Sequence, residues 1–254
     1  MQVMSRLEAE LDRWGDADLT LPIWWRDDDA IAPTPALDRL DEMARETGLD
    51  VHLAIIPAPA TPDLGTYLSD KPHFHPVVHG WAHDNHAPQG QKNAEFGAHR
   101  PVQALCSDAA RGLESLENTL KRAPVAMFVP PWNRISPDLV AALAGLGYGA
   151  VSTYGPRTKA APGLMQVNTH IDPIYWRGGR GLLDPALQIN ALVTHLAERR
   201  AGRADAGEPL GLLTHHLVHD DAIWSFVYHL IQTLMRGPVQ IWSAQKAIKK
   251  DTLT

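Results

Sequence analysis

The stretch Leu21-Pro22-Ile23-Trp24-Trp25-Arg26-Asp27-Asp28-Asp29 joins an apolar segment to three adjacent carboxylates. The apolar residues up to Trp25 predict a buried strand, with the aspartates directly after it. Adjacent carboxylates repel one another unless a positive charge lies among them. The aspartates therefore form either a solvated or helix-capping turn or a cation site, and the apolar segment before them favours the cation site.

A strand followed by a helix is the unit that recurs along the chain. The predicted strands are residues 21–25, 51–56, 76–78, 125–129, 149–152, 165–167, 210–213 and 239–242. The main predicted helices are residues 5–14, 35–48, 102–121, 185–200 and 221–236, with another that begins at Ser136-Pro137. This alternation predicts an α/β fold, and seven or eight such units favour a closed or nearly closed parallel (β/α) barrel.

Bulk composition narrows the class of protein. The chain has 254 residues, 44% of them hydrophobic, and we treat residues 1–254 as a single catalytic domain. The net charge of −6 gives no electrostatic footprint for nucleic acid or for anionic membranes. Cys106 is the only cysteine, and acidic residues occupy the N-terminal positions where a signal peptide has an apolar run. We expect a cytoplasmic protein without nucleic-acid or membrane partners.

Polar residues of the types that serve in catalysis or metal binding follow several of the predicted strands. These positions are the three aspartates, His79 with His83, residues 130–134, Asp172, and residues 214–216. In a parallel barrel the carboxyl ends of the strands share one rim, where active sites are assembled. The sequence therefore predicts one site that collects these residues.

His79 and His83 stand four residues apart, so both imidazoles reach one metal ion if the segment turns helically. The spacing alone is a weak signal because the chain has thirteen histidines, and two unrelated loop histidines are the alternative. A carboxylate cluster on the same rim favours metal binding. Two histidines and one carboxylate leave coordination positions open for water, while a neighbouring aspartate can serve as general base.

Five ordered segments resemble the motifs of the polysaccharide deacetylases, the NodB-homology domain of carbohydrate esterase family 4. They are Asp27-Asp28, His79-Gly80-Trp81-Ala82-His83, Pro130-Pro131-Trp132, Asp172-Pro173-Ile174-Tyr175-Trp176 and Leu213-Thr214-His215. The resemblance implies a distorted, NodB-like (β/α) barrel and a divalent metal cofactor, with zinc expected first.

The resemblance also implies a role for individual residues. Asp27 would be the catalytic base, Asp28, His79 and His83 the metal ligands, and His215 the general acid, with a water on the metal as nucleophile. The implied activity is hydrolysis of a carbon–nitrogen bond other than a peptide bond. An acyl group, acetyl in the simplest case, would be removed from an N-acylated sugar or a similar small amide.

Several positions depart from the family pattern. Asp29 stands where the family has a glycine, and Val129 stands where an arginine usually steadies the base. Arg26, Arg100 and Arg134 are the candidates to supply that missing charge. At the last motif His216 competes with His215 for the role of acid.

The substrate is expected to be a carbohydrate or another small molecule, and the sequence does not indicate an oligomeric state. Residues expected to contact substrate or support the ligands are Asp29, Trp81, Pro131, Trp132, Asp172, Trp176, His216, Arg100 and Arg134. The three tryptophans either form an aromatic wall for a sugar ring or pack in the core. One alternative activity uses the same site on a cyclic amide or ureide, and another interpretation is a non-catalytic metal- or carbohydrate-binding domain. Retention of Asp27 beside Asp28 argues against pure binding.

Overall fold

The computed structural model describes residues 3–158 and 161–251. Within these residues the strands are β1 Leu21–Ala30, β2 Val51–Ile55, β3 Phe74–His79, β4 Met127–Val129, β5 Ala150–Val151, β6 Met165–Gln166, β7 Leu210–Thr214 and β8 Val239–Ile241. The helices are α1 Met4–Asp16, α2 Pro35–Thr47, α3 Pro62–Tyr67, α4 Val102–Leu120, α5 Pro137–Leu143, α6 Pro185–Arg200, α7 Asp221–Met235 and α8 Ala244–Asp251. All predicted strands and helices are present, and α3 and α8 are additional.

The strands form one parallel, curled sheet in the order β6-β5-β4-β3-β2-β1-β7, and β8 pairs with the start of β1. The sheet curls into a half-barrel with the helices around it. Its ends approach each other through a bridge between Ile171, which follows β6, and Leu212 of β7. The predicted α/β fold and the distorted, incompletely closed (β/α) barrel are therefore confirmed.

Two apolar clusters lie on the two faces of the sheet. The larger one contains the inward faces of the helices, for example Leu7, Leu11 and Trp14 of α1, which packs against α6 and α7. The smaller one consists mainly of strand residues, including Trp24 and Val129, and lies on the concave face. None of the helices in the described residues combines the length and the apolar character that a membrane span requires.

Strand β1 is longer than predicted and contains the aspartates. It continues to Ala30, and its pairing with β2 shifts register between Asp27 and Ala30. Asp29 has a φ of 75°, in the left-handed region that aspartate tolerates better than most residues. Such a bulge re-aims side chains, so simple alternation ends before Asp29. Neither pairing nor a bulge is visible in the apolar pattern on which the shorter prediction was based.

The seam between β6 and β7 depends on a close backbone approach at Gly211. A Cβ there would lie 2.5 Å from Trp24 Nε1 and 2.6 Å from the Asn168 carbonyl oxygen. We expect Gly211→Ala to lower the free energy of unfolding by about 1–3 kcal/mol, since a packed core resists an added methyl group. Gly145→Ala is the matched control, because its Cβ meets nothing within 4 Å. Equal denaturation midpoints for the two variants would contradict this account of the seam.

Candidate active site

Asp29, His79 and His83 form the group of possible metal ligands in the described residues. Their donor atoms all lie within 4.8 Å of one another. Asp29 Oδ1 is 3.1 Å from His79 Nε2 and 3.4 Å from His83 Nε2. Strand β1 supplies the carboxylate, the end of β3 supplies His79, and the turn after β3 supplies His83. The predicted histidine pair is thus brought to a carboxylate.

The surroundings of this group suit a metal ion. His79 Nδ1 lies 3.0 Å from the carbonyl oxygen of Val129, which fixes the proton on Nδ1 and leaves Nε2 free as a ligand. Burial opposes ionisation of Asp29, but its hydrogen bond with His79 and the nearby imidazoles hold the pKa of that carboxyl well below its usual range. An ionised carboxylate and two imidazoles are a donor set that divalent zinc accepts.

Asp28 is held by Arg26 and lies outside the ligand group. Arg26 Nε lies 2.9 Å from Asp28 Oδ1, and Nη2 lies 3.0 Å from Oδ2. Both side chains are buried, so the pair is a desolvated two-bond contact. Arg26 also donates to Ser152 Oγ and to Asn133 Oδ1, each at 2.7 Å. Among the three arginines proposed to supply the missing charge, Arg26 is the one that contacts the triplet.

Asp27 points to the other face of β1 and bonds to β7 and the residues after it. Its Oδ2 accepts from Thr214 Oγ1 at 2.6 Å and from the His216 backbone N–H at 3.0 Å. Its Oδ1 lies 2.5 Å from His216 Nδ1. Burial alone would raise the pKa of Asp27, but the charge of His216 and these hydrogen bonds lower it. Asp27 and His216 therefore form a buried pair that joins β1 to the end of β7.

The sequence expectation gave the base to Asp27 and a metal bond to Asp28, whereas the carboxylate that lies beside the two histidines in the structure is that of Asp29. The physical reason is strand alternation: Arg26 and Asp28 share one face of β1, and Asp27 lies on the opposite face. The bulge then turns Asp29, rather than Asp28, toward the histidines. The period-2 alternation of Trp24, Arg26 and Asp28 is the sequence signal that would have found this arrangement.

His215, Trp176 and Asp172 meet near the same rim. The Trp176 and His215 rings lie edge to face with their centroids 4.8 Å apart. Trp176 Nε1 donates to Asp172 Oδ2 at 2.7 Å. His215 Nδ1 is buried and has no hydrogen-bond partner among the described residues, whereas His216 is tied to Asp27. His216 Nε2 and His219 Nδ1 are likewise buried without a partner among these residues, but each of those two rings makes a hydrogen bond through its other nitrogen. His215 is therefore the one of the three histidines whose ring makes no hydrogen bond in the described residues.

The tryptophans separate into two groups. Trp132 packs on His83 with ring centroids 4.2 Å apart, and Trp176 is exposed beside His215, so both flank the ligand group. Trp81 instead lies under Arg111, whose guanidinium carbon is 3.8 Å from the ring centroid. The structure thus places two of the three predicted aromatic residues next to the site.

The turn that carries His83 is anchored by Glu95, a residue that sequence reasoning did not assign. Glu95 is fully buried, and its carboxylate accepts from the backbone N–H groups of Trp81 and Ala82. Gly80 has a φ of 59°, and a Cβ there would lie 2.4 Å from Glu95 Oε2 and 2.5 Å from the Pro131 ring. Pro131 and Glu95 therefore confine this turn. An acidic residue in a mixed loop gave no sequence signal for that role.

Arg100 and Arg134 do not reach the aspartates. Arg100 donates to Asp108 and to the Glu95 carbonyl oxygen, and Arg134 donates to the Asn93 carbonyl oxygen. Both arginines hold the loop that contains Glu95. Their contribution to the site is through the position of that loop.

Unusual backbone conformations gather at this site. Asp29, His83, Trp132 and Asn133 all have a φ between 55° and 75°. Such conformations cost free energy in residues other than glycine and persist where the surroundings over-determine them, which is common at functional sites. Two of these four residues, Asp29 and His83, are themselves among the possible metal ligands, so the unusual backbone conformations occur at the candidate site.

Neither a protein-family model nor a curated protein sequence matches the chain significantly. Solved structures do match. A family 4 carbohydrate esterase from Streptomyces lividans, in complex with acetate, is 16% identical with a TM-score of 0.55, covering 88% of this chain and 94% of that chain. The peptidoglycan deacetylase PdaC from Bacillus subtilis is 14% identical with a TM-score of 0.56, covering 92% and 94%.

A family 4 pseudoenzyme from Bacillus anthracis matches as well, at 10% identity and a TM-score of 0.55, covering 87% of this chain and 63% of that chain. At these identities the likeness establishes the fold. The chain therefore has the (β/α) half-barrel fold found in family 4 carbohydrate esterases and polysaccharide deacetylases. The resemblance inferred from the five motifs is confirmed at the level of the fold.

Proposed function

We propose that this chain is a metal-dependent hydrolase that removes an acyl group, acetyl in the simplest case, from an N-acylated sugar or a similar small amide. The observation that carries the proposal is the convergence of Asp29, His79 and His83 beside the arginine-held carboxylate of Asp28. The shared fold with a carbohydrate esterase and a peptidoglycan deacetylase supports the reaction class.

In this proposal Asp29, His79 and His83 hold a divalent metal, with zinc as the first candidate. When bound, the metal would polarise the amide carbonyl and lower the pKa of a water molecule at neutral pH. The ligand group is partly open, since the side chains of Asp29 and His83 keep 29% and 25% of their exposure. Water and substrate therefore have access to it.

Asp28 is the proposed general base. It is buried, and its position next to His79 and Asp172 is reflected in the influence of its charge on both of their pKa values. Arg26 orients Asp28 through two hydrogen bonds and so takes the place of the arginine that is missing from position 129. A carboxylate bound twice by arginine retains lone pairs that can accept a proton from water. Asp27 lies on the opposite face of β1, where it bonds to Thr214 and His216 and points away from the possible metal ligands.

His215 is the proposed general acid that gives a proton to the leaving amine. Its ring lies against Trp176, which donates to the Asp172 carboxylate. Burial raises the pKa of Asp172, and the nearby His215 opposes part of that rise. Trp132 and Trp176 flank the metal ligands and offer aromatic faces to a sugar ring. This arrangement favours a carbohydrate amide over other small amides.

Metal analysis followed by an acetate-release assay on N-acetylated monosaccharides and oligosaccharides tests the proposal. We expect zinc to bind with a stoichiometry near one, and acetate to be released only by the metal-loaded protein. Release of ammonia or of a ring-opened product from cyclic amides, without acetate release from the sugars, would show that the substrate is a cyclic amide instead of an N-acylated sugar. Metal binding without turnover of any amide would instead assign the chain to a non-catalytic metal- or carbohydrate-binding domain.

His215→Gln and His216→Gln should separate the two candidate acids. We expect His215→Gln to lower kcat by about 100- to 10,000-fold, since general acid catalysis supplies that range. His216→Gln should lower the denaturation midpoint because it leaves Asp27 buried without its charge partner. Its residual activity should keep the wild-type pH profile. The reverse distribution of these effects would assign the acid to His216.

A further inference from the structure

A cavity of about 470 Å³ lies beside the proposed active site, at the seam between β6 and β7. The segment 170–172 that bridges to β7 forms one wall, and the first half of α6 forms another. Its lining includes Tyr154, Ile171, Asp172, Leu187, Leu192 and His195. The volume falls in the range of small-molecule binding sites in proteins, about 300–1,000 Å³.

Asp172 connects this cavity to the proposed site. It lines the cavity, and its Oδ2 accepts from Trp176 Nε1, whose ring contacts His215. Tyr154 closes the same end by donating from its hydroxyl to the His170 carbonyl oxygen at 3.0 Å. A molecule whose amide bond lies next to His215 can therefore extend past Trp176 and Asp172 into the cavity.

The chemistry of the lining selects an uncharged ligand. Leucine, isoleucine, alanine and tyrosine side chains make up most of the walls. His195 Nε2 accepts from Arg199 Nε at 2.8 Å, which leaves the proton of a neutral imidazole on Nδ1. Burial, with the charge of Arg199, lowers the pKa of His195 to about 4, so it is neutral near pH 7. The described residues that line the cavity include no lysine or arginine, and the carboxylate among them, Asp172, already accepts from Trp176 Nε1 and the Ile174 backbone N–H.

Gln188 adds a polar feature to the apolar walls. Its Nε2 donates to the Leu183 carbonyl oxygen at 2.8 Å, while its Oε1 is buried and has no hydrogen-bond partner among the described residues. Buried acceptors are nearly always satisfied in folded proteins. Because Gln188 Oε1 is not exposed at the cavity surface, we assign it no contact with a ligand.

We propose that this cavity binds an uncharged, mainly apolar group of the substrate, attached on either the acyl side or the amine side of the amide bond. This inference rests on the proposed function and narrows its substrate to an amide with an apolar substituent. Burial of each methylene away from water increases affinity by a factor of roughly four. The same factor should appear in kcat/KM as the substituent grows, until the cavity is filled.

Two substrate series distinguish the two sides. The first lengthens the acyl group of an N-acylglucosamine from acetyl to hexanoyl, and the second keeps N-acetyl and lengthens an alkyl glycoside from methyl to hexyl. We expect kcat/KM to rise roughly fourfold per methylene in one of them. A rise in the first assigns the cavity to the acyl chain, and a rise in the second assigns it to the amine side. Flat profiles in both series would overturn the proposal.

Ala191→Phe blocks the cavity, because Ala191 is an exposed residue of α6 that lines it. It should abolish the dependence of kcat/KM on chain length in the substrate series. Ala186→Phe, exposed on the same helix and outside the lining, should keep the dependence. An undiminished dependence in Ala191→Phe would contradict the assignment of this cavity.

Calorimetric binding of hexyl glucoside, which has no amide, reports on the cavity without turnover. We expect saturable binding to the metal-loaded wild type and at least tenfold weaker binding to Ala191→Phe. If no amide is hydrolysed but Ala191→Phe still binds hexyl glucoside more weakly than the wild type does, the proposed function is wrong and the cavity assignment is kept. If amides are hydrolysed and the difference is absent, the cavity assignment alone fails.

Discussion

Asp29→Asn is expected to weaken zinc binding at least about 100-fold, whereas Asp28→Asn should weaken it less than about tenfold. Residues that merely support metal ligands already contribute about 10- to 100-fold to metal affinity, so loss of a charged ligand should exceed that range. Asp29 Oδ1 lies within 3.4 Å of both histidine nitrogens, and Asp28 is engaged with Arg26. Competition with a chromogenic chelator measures both affinities.

The two asparagine variants form a matched pair, since each removes one negative charge from adjacent residues and keeps the side-chain volume. Asp28→Asn should also lower kcat by about 100- to 10,000-fold while the metal stays bound, as expected for loss of a general base. A variant pair in which Asp28→Asn loses the metal and Asp29→Asn retains it would restore the ligand set implied by the motif resemblance.

Arg26→Met is expected to lower the free energy of unfolding by about 3–5 kcal/mol. The substitution leaves the Asp28 carboxylate buried without its partner, and breaking a buried ion pair from one side has that cost. Arg26 is fully buried and binds Asp28, Ser152 and Asn133, so further hydrogen bonds are lost with it. Urea denaturation of the metal-free and metal-loaded protein measures the effect.

The double variant Arg26→Met with Asp28→Asn separates charge burial from packing. Removing the unpaired carboxylate should recover part of the lost stability, so that the two changes are strongly non-additive. The surface pair of Arg203 with Glu198 is a suitable control because both side chains are largely exposed. Arg203→Met should change stability far less than Arg26→Met, because water screens an exposed ion pair. Equal losses for Arg26→Met and Arg203→Met would show that Arg26 does not neutralise a buried charge.

The third carboxylate, Asp27, has a structural explanation that does not require substrate. It binds Thr214 Oγ1, the backbone N–H of His216 and the His216 ring, and Trp25 Nε1 donates to the same threonine at 2.8 Å. These bonds join β1 to β7 just before His215. Asp27 therefore positions the turn that carries the proposed acid, and Asp28 and Asp29 face the proposed site.

Much of the fold follows from local sequence signals. Thr34 caps α2, Pro35 occupies its first turn, and Gly48 ends it with a φ of 71°, as proline and glycine punctuation predicts. The apolar runs that became β2 and β7 are buried along their whole length, which is typical of parallel strands covered on both faces. Such signals are local because backbone preference and burial act within a few residues.

The sequence by itself determined the order of strands and helices, the rim on which polar residues collect, and the pairing of His79 with His83. Only the tertiary structure decided which aspartate joins them, because a bulge in β1 depends on pairing with β2 and β7. It also decided that Arg26 faces Asp28 and that Glu95 anchors the histidine turn. These contacts join residues whose relative directions are set by strand register, and no local pattern encodes that register.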